Sequence, residues 1–184
     1  MEIRLAEMKD FEGVKSLLKA NHVDSLTEEE KKEGFVTTNL TDEQLEELIV
    51  KEKGVTIAVD DGNVVAFALA APWEYWSVWP LFQHMINIMR EYEFEDKALD
   101  DKYTYQYGPI CIEKSYRGTG LFKKVFDYSL KTMEDRFPVM VTFVNKKNPR
   151  SHGAHTGKAG MTINGTFEFN NNSYYMMSCY TKAE

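Results

Sequence analysis

Residues 110–126 constrain what this chain can become more than any other stretch. Ile110, Cys111 and Ile112 end an apolar run that reads as a strand. The chain then breaks at residues 113–116, turns through Gly118 and Gly120, and enters an amphipathic helix running to about Phe137. A strand, a glycine turn and a helix start in that order make an anion site. The glycines permit a tight turn and close backbone approach, and the unpaired N–H groups and positive dipole end of the helix face whatever sits there. Arg117 adds a fixed cation whose geometry matches a phosphate.

The spacing rejects two common phosphate motifs. A Walker A loop needs Gly-x4-Gly-Lys-Ser/Thr, but Gly157-Lys158 is followed by Ala159 and has His152 at the first glycine's place. A dinucleotide fingerprint needs a third glycine where Lys123 stands. Composition closes off other classes. A net charge of −7 with no offsetting basic stripe argues against a nucleic-acid partner. No apolar run is long enough to span a bilayer, and the start of the chain does not read as a signal peptide. Cys111 and Cys179, both in apolar strand-like contexts, read as reduced thiols of a cytoplasmic protein; an acyl-cysteine role for Cys111 lacks an adjacent base.

The rest of the chain supplies the order of elements. A short strand at residues 3–5 leads to a helix over 9–21, with Phe11, Val14, Leu17 and Leu18 on one face. Capping boxes at Thr27/Glu30 and Thr41/Gln44 start two more helices. Aliphatic runs at 55–59 and 64–70 flank Asp60-Asp61-Gly62-Asn63, which is hairpin chemistry. An aromatic passage at 73–79 enters a helix over 77–92, then an acidic connection over 93–101. A long strand over 103–112 feeds the anion-site helix and a strand follows at 139–144. A helix over 151–159 and aromatic strands at 165–169 and 173–180 close the chain. With no repeats or linkers, residues 1–184 read as one domain, large enough to bury on the order of 70% of its unfolded surface.

Arg117-Gly118-Thr119-Gly120-Leu121-Phe122 resembles motif A of the GNAT (GCN5-related N-acetyltransferase) superfamily, [QR]-x-x-G-x-[GA]. Phe122 departs from the small last residue, and Lys114 stands where proline is frequent. The element order resembles the same family over nearly the whole chain. The resemblance implies an α/β fold of the α+β kind: a central mixed, mostly antiparallel sheet, splayed between its two central strands near Ile110 and Val141, with helices on both faces. It implies acetyl-CoA as co-substrate and no metal. Arg117, Gly118, Thr119, Gly120, Leu121 and Phe122 would hold the pyrophosphate, Ile110, Cys111 and Ile112 the thioester arm, and Asn148 would join them. A distortion at Gly108-Pro109 would stand beside the thioester, where a backbone N–H can stabilise the oxyanion.

The implied reaction is transfer of acetyl to a primary amine by direct attack. In the histone-acetylating branch a glutamate about eleven residues before the motif is the base; here that position is Gln106, which cannot be one. Glu74, among Trp73, Tyr75 and Trp76, is the replacement candidate, since an aromatic environment raises a carboxylate's pKa. The family's leaving-group acid is a tyrosine about seven residues after an asparagine; from Asn148 that position is His155, whose imidazole can do the same work. His152 and His155 without Cys, Asp or Glu nearby make a poor metal site. Trp73, Tyr75, Trp76 and Trp79 stand where the family often lines its acceptor pocket, and an aromatic wall suits a small-molecule amine; Trp76 and Trp79, three apart at a helix start, equally suit a cap on the core. The missing base at Gln106 also fits a non-catalytic acyl-CoA sensor of the same fold, and transfer of a longer acyl group is a further enzymatic reading. The aromatic closing strands suit a homodimer surface.

Overall fold

The computed structural model describes residues 1–182. The strands hydrogen-bond in the order β1 (Glu2–Leu5), β2 (Val55–Asp60), β3 (Asn63–Ala71), β6 (Thr104–Ile112), β7 (Val139–Asn145), β9 (Asn172–Tyr180) and β8 (Thr162–Phe169), with a separate two-stranded sheet of β4 (Glu93–Phe94) and β5 (Lys97–Ala98). By contacts the chain forms two compact units, residues 1–70 with 108–132, and residues 71–107 with 133 onward.

The first unit starts with β1 (Glu2–Leu5), a 3₁₀ turn (Met8–Asp10) and α1 (Phe11–Ala20), which buries Val14, Leu17 and Leu18. Both expected capping boxes form. Thr27 caps α2 (Glu28–Lys31) and Thr41 caps α3 (Asp42–Val50), each exchanging bonds with the side chain three residues on. α3 buries Leu45, Leu48 and Ile49. β2 (Val55–Asp60) and β3 (Asn63–Ala71) are joined through Asp61 at φ 47° and Gly62 at φ 79°, the positive pair a tight hairpin demands. β1 and β3 flank β2 antiparallel, and Ile57, Ala66, Phe67 and Leu69 form the centre of this core.

In the second unit the single helix expected over 77–92 is two. α4 (Trp73–Trp76) ends at Ser77, and α5 (Pro80–Ile88) restarts with Pro80 in its first turn, the helical place that tolerates a missing N–H. The acidic connection contains a hairpin, β4 (Glu93–Phe94) and β5 (Lys97–Ala98), turned by Glu95 and Asp96 at positive φ. It is tied down by Tyr92 Oη donating to the Thr166 carbonyl at 2.9 Å and Asn164 Nδ2 to the Glu93 carbonyl at 2.8 Å.

β6 (Thr104–Ile112) begins in this unit, where residues 104–106 pair parallel with 139–141 of β7 (Val139–Asn145). α6 (Leu121–Met133) lies between them in sequence. α7 (Pro149–Gly153) continues as a π-helical turn, Ala154–Lys158. β8 (Thr162–Phe169) and β9 (Asn172–Tyr180) pair antiparallel, and β9 also lines β7. β8 starts three residues earlier than the sequence pattern indicates, because a register shift between Ile163 and Gly165 interrupts its alternation.

Alternation along the strands gives this part of the sheet two covered faces. Trp73 Nε1 donates to Thr104 Oγ1 at 2.9 Å, and Phe82 meets Phe143 at 5.6 Å between ring centroids, so α4 and α5 cover one face. Tyr107 points to the other, where its ring meets His155 at 6.1 Å.

Candidate active site

The segment from β6 to α6 behaves as a backbone cradle. After Glu113, whose N–H donates to the Val65 carbonyl at 2.8 Å, a 3₁₀ turn (Lys114–Tyr116) brings the chain round. Gly118 and Gly120 follow at φ 81° and 85°, left-handed geometry that a side chain resists. A Cβ at either glycine would meet nothing within 4 Å, so backbone angle and not space requires them, and the volume in front of them is open. The N–H groups of Gly118, Thr119, Gly120 and Leu121 stand where the turn passes into the N-terminus of α6, the end at which a helix leaves donors without intrahelical acceptors. Donors at the N-terminus of a 13-residue helix are what a diphosphate needs. The Phe122 ring stacks on Phe126 one turn along, at 6.0 Å and 19°.

Arg117 serves this loop differently from the expected free cation. Its Nε donates to the Ile112 carbonyl at 3.0 Å, one terminal nitrogen to the Glu33 carbonyl at 3.2 Å, and the other to Asn21 Oδ1 at 3.1 Å. The guanidinium braces the loop. Thr119 Oγ1 donates to the Tyr116 carbonyl at 2.7 Å, and Tyr116 Oη to Asp60 at 2.9 Å, which fix the turn from the inside. Ile110 and Ile112 are half-buried beside Cys111, which is buried. Burial pushes the Cys111 thiol up to about 12, and the nearby Arg117 offsets little of this, so no thiolate forms there near neutral pH.

In the second unit, Trp73 and Trp76 are 2% and 0% exposed, which corrects the pocket-wall expectation: both belong to the core. Tyr75 is half-buried, edge-on to Trp76 at 4.8 Å and 5.7 Å from Trp79, which is half-buried as well. Glu74 is exposed, so the enclosing aromatic environment expected for it is absent. Gln106 is buried and donates from Nε2 to the Tyr107 carbonyl at 2.6 Å. That carbonyl also accepts from Thr142 Oγ1 at 2.6 Å. Gly108-Pro109, a cis bond with Gly108 at φ 105°, follows directly.

His155 is placed by α7. Asn148 is the N-cap, buried, its side chain accepting from the Ser151 N–H at 3.1 Å, and Pro149 occupies the first turn. One turn on, the π turn carries His155 to 4% exposure beside Tyr107. Its Nδ1 lies 2.8 Å from the Ser151 carbonyl and 3.3 Å from Ser151 Oγ. Burial lowers its pKa below the usual 6.5, the Ser151 bond opposes that, and the His152 charge adds to it. Sequence reasoning missed Tyr107 and Ser151 as neighbours of His155; the spacing of Ser151, four residues before His155, was the available signal.

Among the described residues no cluster of three His, Cys, Asp or Glu could hold a metal, and no helix is long and apolar enough to cross a membrane. No family model and no curated protein matches the sequence. Solved structures do. A GNAT-family acetyltransferase from Streptococcus pneumoniae superposes with a TM-score of 0.65 at 15% identity, over 97% of this chain and 98% of that one. A putative acetyltransferase from Salmonella typhimurium, solved with its cofactor acetyl-CoA, gives 0.63 at 16% identity over 100% and 95%. The ribosomal-protein-S18-alanine N-acetyltransferase from Escherichia coli gives 0.61 at 10% identity over 100% and 95%. With its mixed, mostly antiparallel seven-stranded sheet, the chain has the fold of the GNAT superfamily.

Proposed function

We propose that the protein transfers an acetyl group from acetyl-CoA to a primary amine of a small molecule by direct attack. The observation that carries this reading is the left-handed turn at Gly118 and Gly120, open in front, that leads into the N-terminus of α6. The amides of Gly118, Thr119, Gly120 and Leu121, with that of Phe122, hold the diphosphate; Arg117 keeps the loop in shape through Ile112, Glu33 and Asn21. The backbone of Ile110, Cys111 and Ile112 orients the thioester arm as an added strand would be oriented. Asn148 caps the helix that presents His155, the proton carrier of the reaction. Tyr75 faces the acceptor with Trp73 and Trp76 packed behind it, and exposed Glu74 offers a carboxylate to a cationic amine. The acetyl-CoA in a structure of the same fold supports the choice of thioester. Thiols kept at Cys111 and Cys179 suit a reducing cytoplasm.

Isothermal titration with acetyl-CoA tests the reading. Binding by the wild type, strongly weakened in Gly120→Glu, is expected, because a carboxylate would then face the diphosphate; equal affinity removes the assignment. Buried Gln106 in place of a base is the one feature suited to a sensor that binds without turnover. Release of CoA with a panel of amines separates enzyme from sensor, and a panel of thioesters sets the acyl length.

A further inference from the structure

The glycine turn before α6 is anchored to a strand 56 positions earlier, where the Asp60 carboxylate accepts from Tyr116 Oη at 2.9 Å. Asp60 is the last residue of β2 and pairs with Asn63 of β3, so the sheet fixes its backbone ahead of the turn at Asp61 and Gly62. The bond from Tyr116 holds the Asp60 carboxyl below the usual carboxylate range and raises the phenol, so a neutral phenol donates to a charged acceptor. Tyr116 ends the 3₁₀ turn. Its N–H donates to the Glu113 carbonyl at 3.0 Å, and its own carbonyl accepts from Thr119 Oγ1 at 2.7 Å. One residue is thus tied to the sheet by its side chain and to the turn by its backbone, directly before Gly118 and Gly120 at φ 81° and 85°. All of these residues belong to the first unit.

We infer that Asp60 is a positioning residue for acetyl-CoA, acting through Tyr116 to hold the glycine turn in the shape that presents its amides to a diphosphate. This deepens the acetyl-CoA reading and rests on it. A loop already in its binding geometry loses little freedom when the ligand arrives, whereas a loosened one must be ordered during binding. Gly118, Thr119 and Gly120 are all exposed, so neighbouring packing does little to hold the turn and its tethers decide its shape. Arg117 braces the turn through Ile112, Glu33 and Asn21, and Tyr116 braces it from the β2–β3 hairpin. Asp60 stands outside the motif at 117–122 and acts on the ligand only through the residue it holds.

Isothermal titration of the full chain with acetyl-CoA, run beside thermal melts, tests this. Tyr116→Phe keeps the ring and removes only the donor, so the Kd should rise about 3- to 10-fold, a partly exposed bond's share of the usual range. Asp60→Ala should lose affinity to a similar extent. Both variants break one bond, so the double variant should bind no more weakly than the weaker of the two singles. Asp60 also meets the Met1 amine at 3.1 Å, and Asp60→Asn separates the two contacts. Its amide oxygen still accepts from the phenol while the ion pair is gone, so affinity should return to within about twofold of wild type. A fall in Tm with unchanged Kd in Tyr116→Phe marks a purely structural contact and overturns the inference. A double variant whose loss is the product of the two single losses overturns it as well, and so does Asp60→Asn binding as weakly as Tyr116→Phe. Should Asp60→Ala fail to fold, Tyr116→Phe and Asp60→Asn decide the matter by themselves. Wild type that binds no acetyl-CoA removes the coenzyme reading and this role with it, whereas wild-type binding that Tyr116→Phe leaves unchanged removes this role alone.

Discussion

Replacing Gly120 by alanine isolates the backbone's share of the anion cradle. Gly120 sits at φ 85°, and an added Cβ would meet nothing within 4 Å, so the substitution introduces conformational strain and no clash. Left-handed backbone costs an L residue about 1–2 kcal/mol. In the free protein the exposed loop relieves part of this by relaxing. Binding then has to restore the geometry, so acetyl-CoA affinity should fall roughly 5- to 30-fold, the equivalent of that energy. Gly62→Ala is the control. It has φ 79° and equally open surroundings, but lies in the β2–β3 hairpin turn. It should lower Tm by about 2–8 °C and leave the acetyl-CoA Kd alone. Calorimetric titration and thermal melts of the pair give the answer. Wild-type affinity in Gly120→Ala, or an equal loss in Gly62→Ala, would refute the claim that the left-handed loop presents its amides to a diphosphate.

Other perturbations separate stability from chemistry. Thr142→Val keeps the volume but removes the hydroxyl that donates to the Tyr107 carbonyl at 2.6 Å, and since Gln106 still donates to that carbonyl, chemical denaturation should show a loss of about 0.5–1.5 kcal/mol. Gly54→Ala would put a Cβ 1.8 Å from the Ala70 carbonyl oxygen, and because that neighbour is backbone the hairpin must shift; a loss of about 3 kcal/mol or more should appear in the same assay. Cys111 should resist thiol reagents in native protein at pH 8 and react on unfolding. Its folded pKa is raised from 9.0 to about 12, so its contribution to stability is whole below pH 9 and declines as pH rises from 9 towards 12, which urea midpoints across that range will show. Arg117→Ala frees the Ile112 and Glu33 carbonyls and Asn21 together, and should weaken acetyl-CoA binding with a fall in Tm; Arg117→Lys should not restore either, since one ammonium cannot replace the fork.

Much of the fold was legible wherever a local rule settles the backbone. Thr27 and Thr41 with partners three residues on, and Asp60-Asp61-Gly62-Asn63 between aliphatic runs, carry their geometry in adjacent residues, and all form as expected. The errors fall where a local rule was outvoted or overlooked. The pattern over 77–92 is helical in period, yet Pro80 lacks the N–H an uninterrupted helix would need and so starts a new one. Glu95 and Asp96 reverse the chain at positive φ without a glycine to announce it, and the hairpin holds through bonds reaching from Tyr92 to Thr166 and from Asn164 to Glu93, which no local window contains.

The candidate site divides along the same line. A cradle built from backbone amides is readable, because Gly118 and Gly120 set the angles and the start of α6 sets the direction of the donors. Side-chain roles are not, because burial and partners come from residues distant in sequence. Arg117 looked like a ligand for phosphate until Asn21 and Glu33, some 84 to 96 positions away, claimed its nitrogens. Trp73 and Trp76 looked like a wall until Thr104 and Phe82 took them into the core. For His155 the decisive partner is near, but it is a main-chain carbonyl, which every residue carries and no side-chain pattern reveals. Which nitrogen of the neutral ring carries its proton turns on the atom that Nδ1 meets, and here that atom is the Ser151 carbonyl oxygen at 2.8 Å.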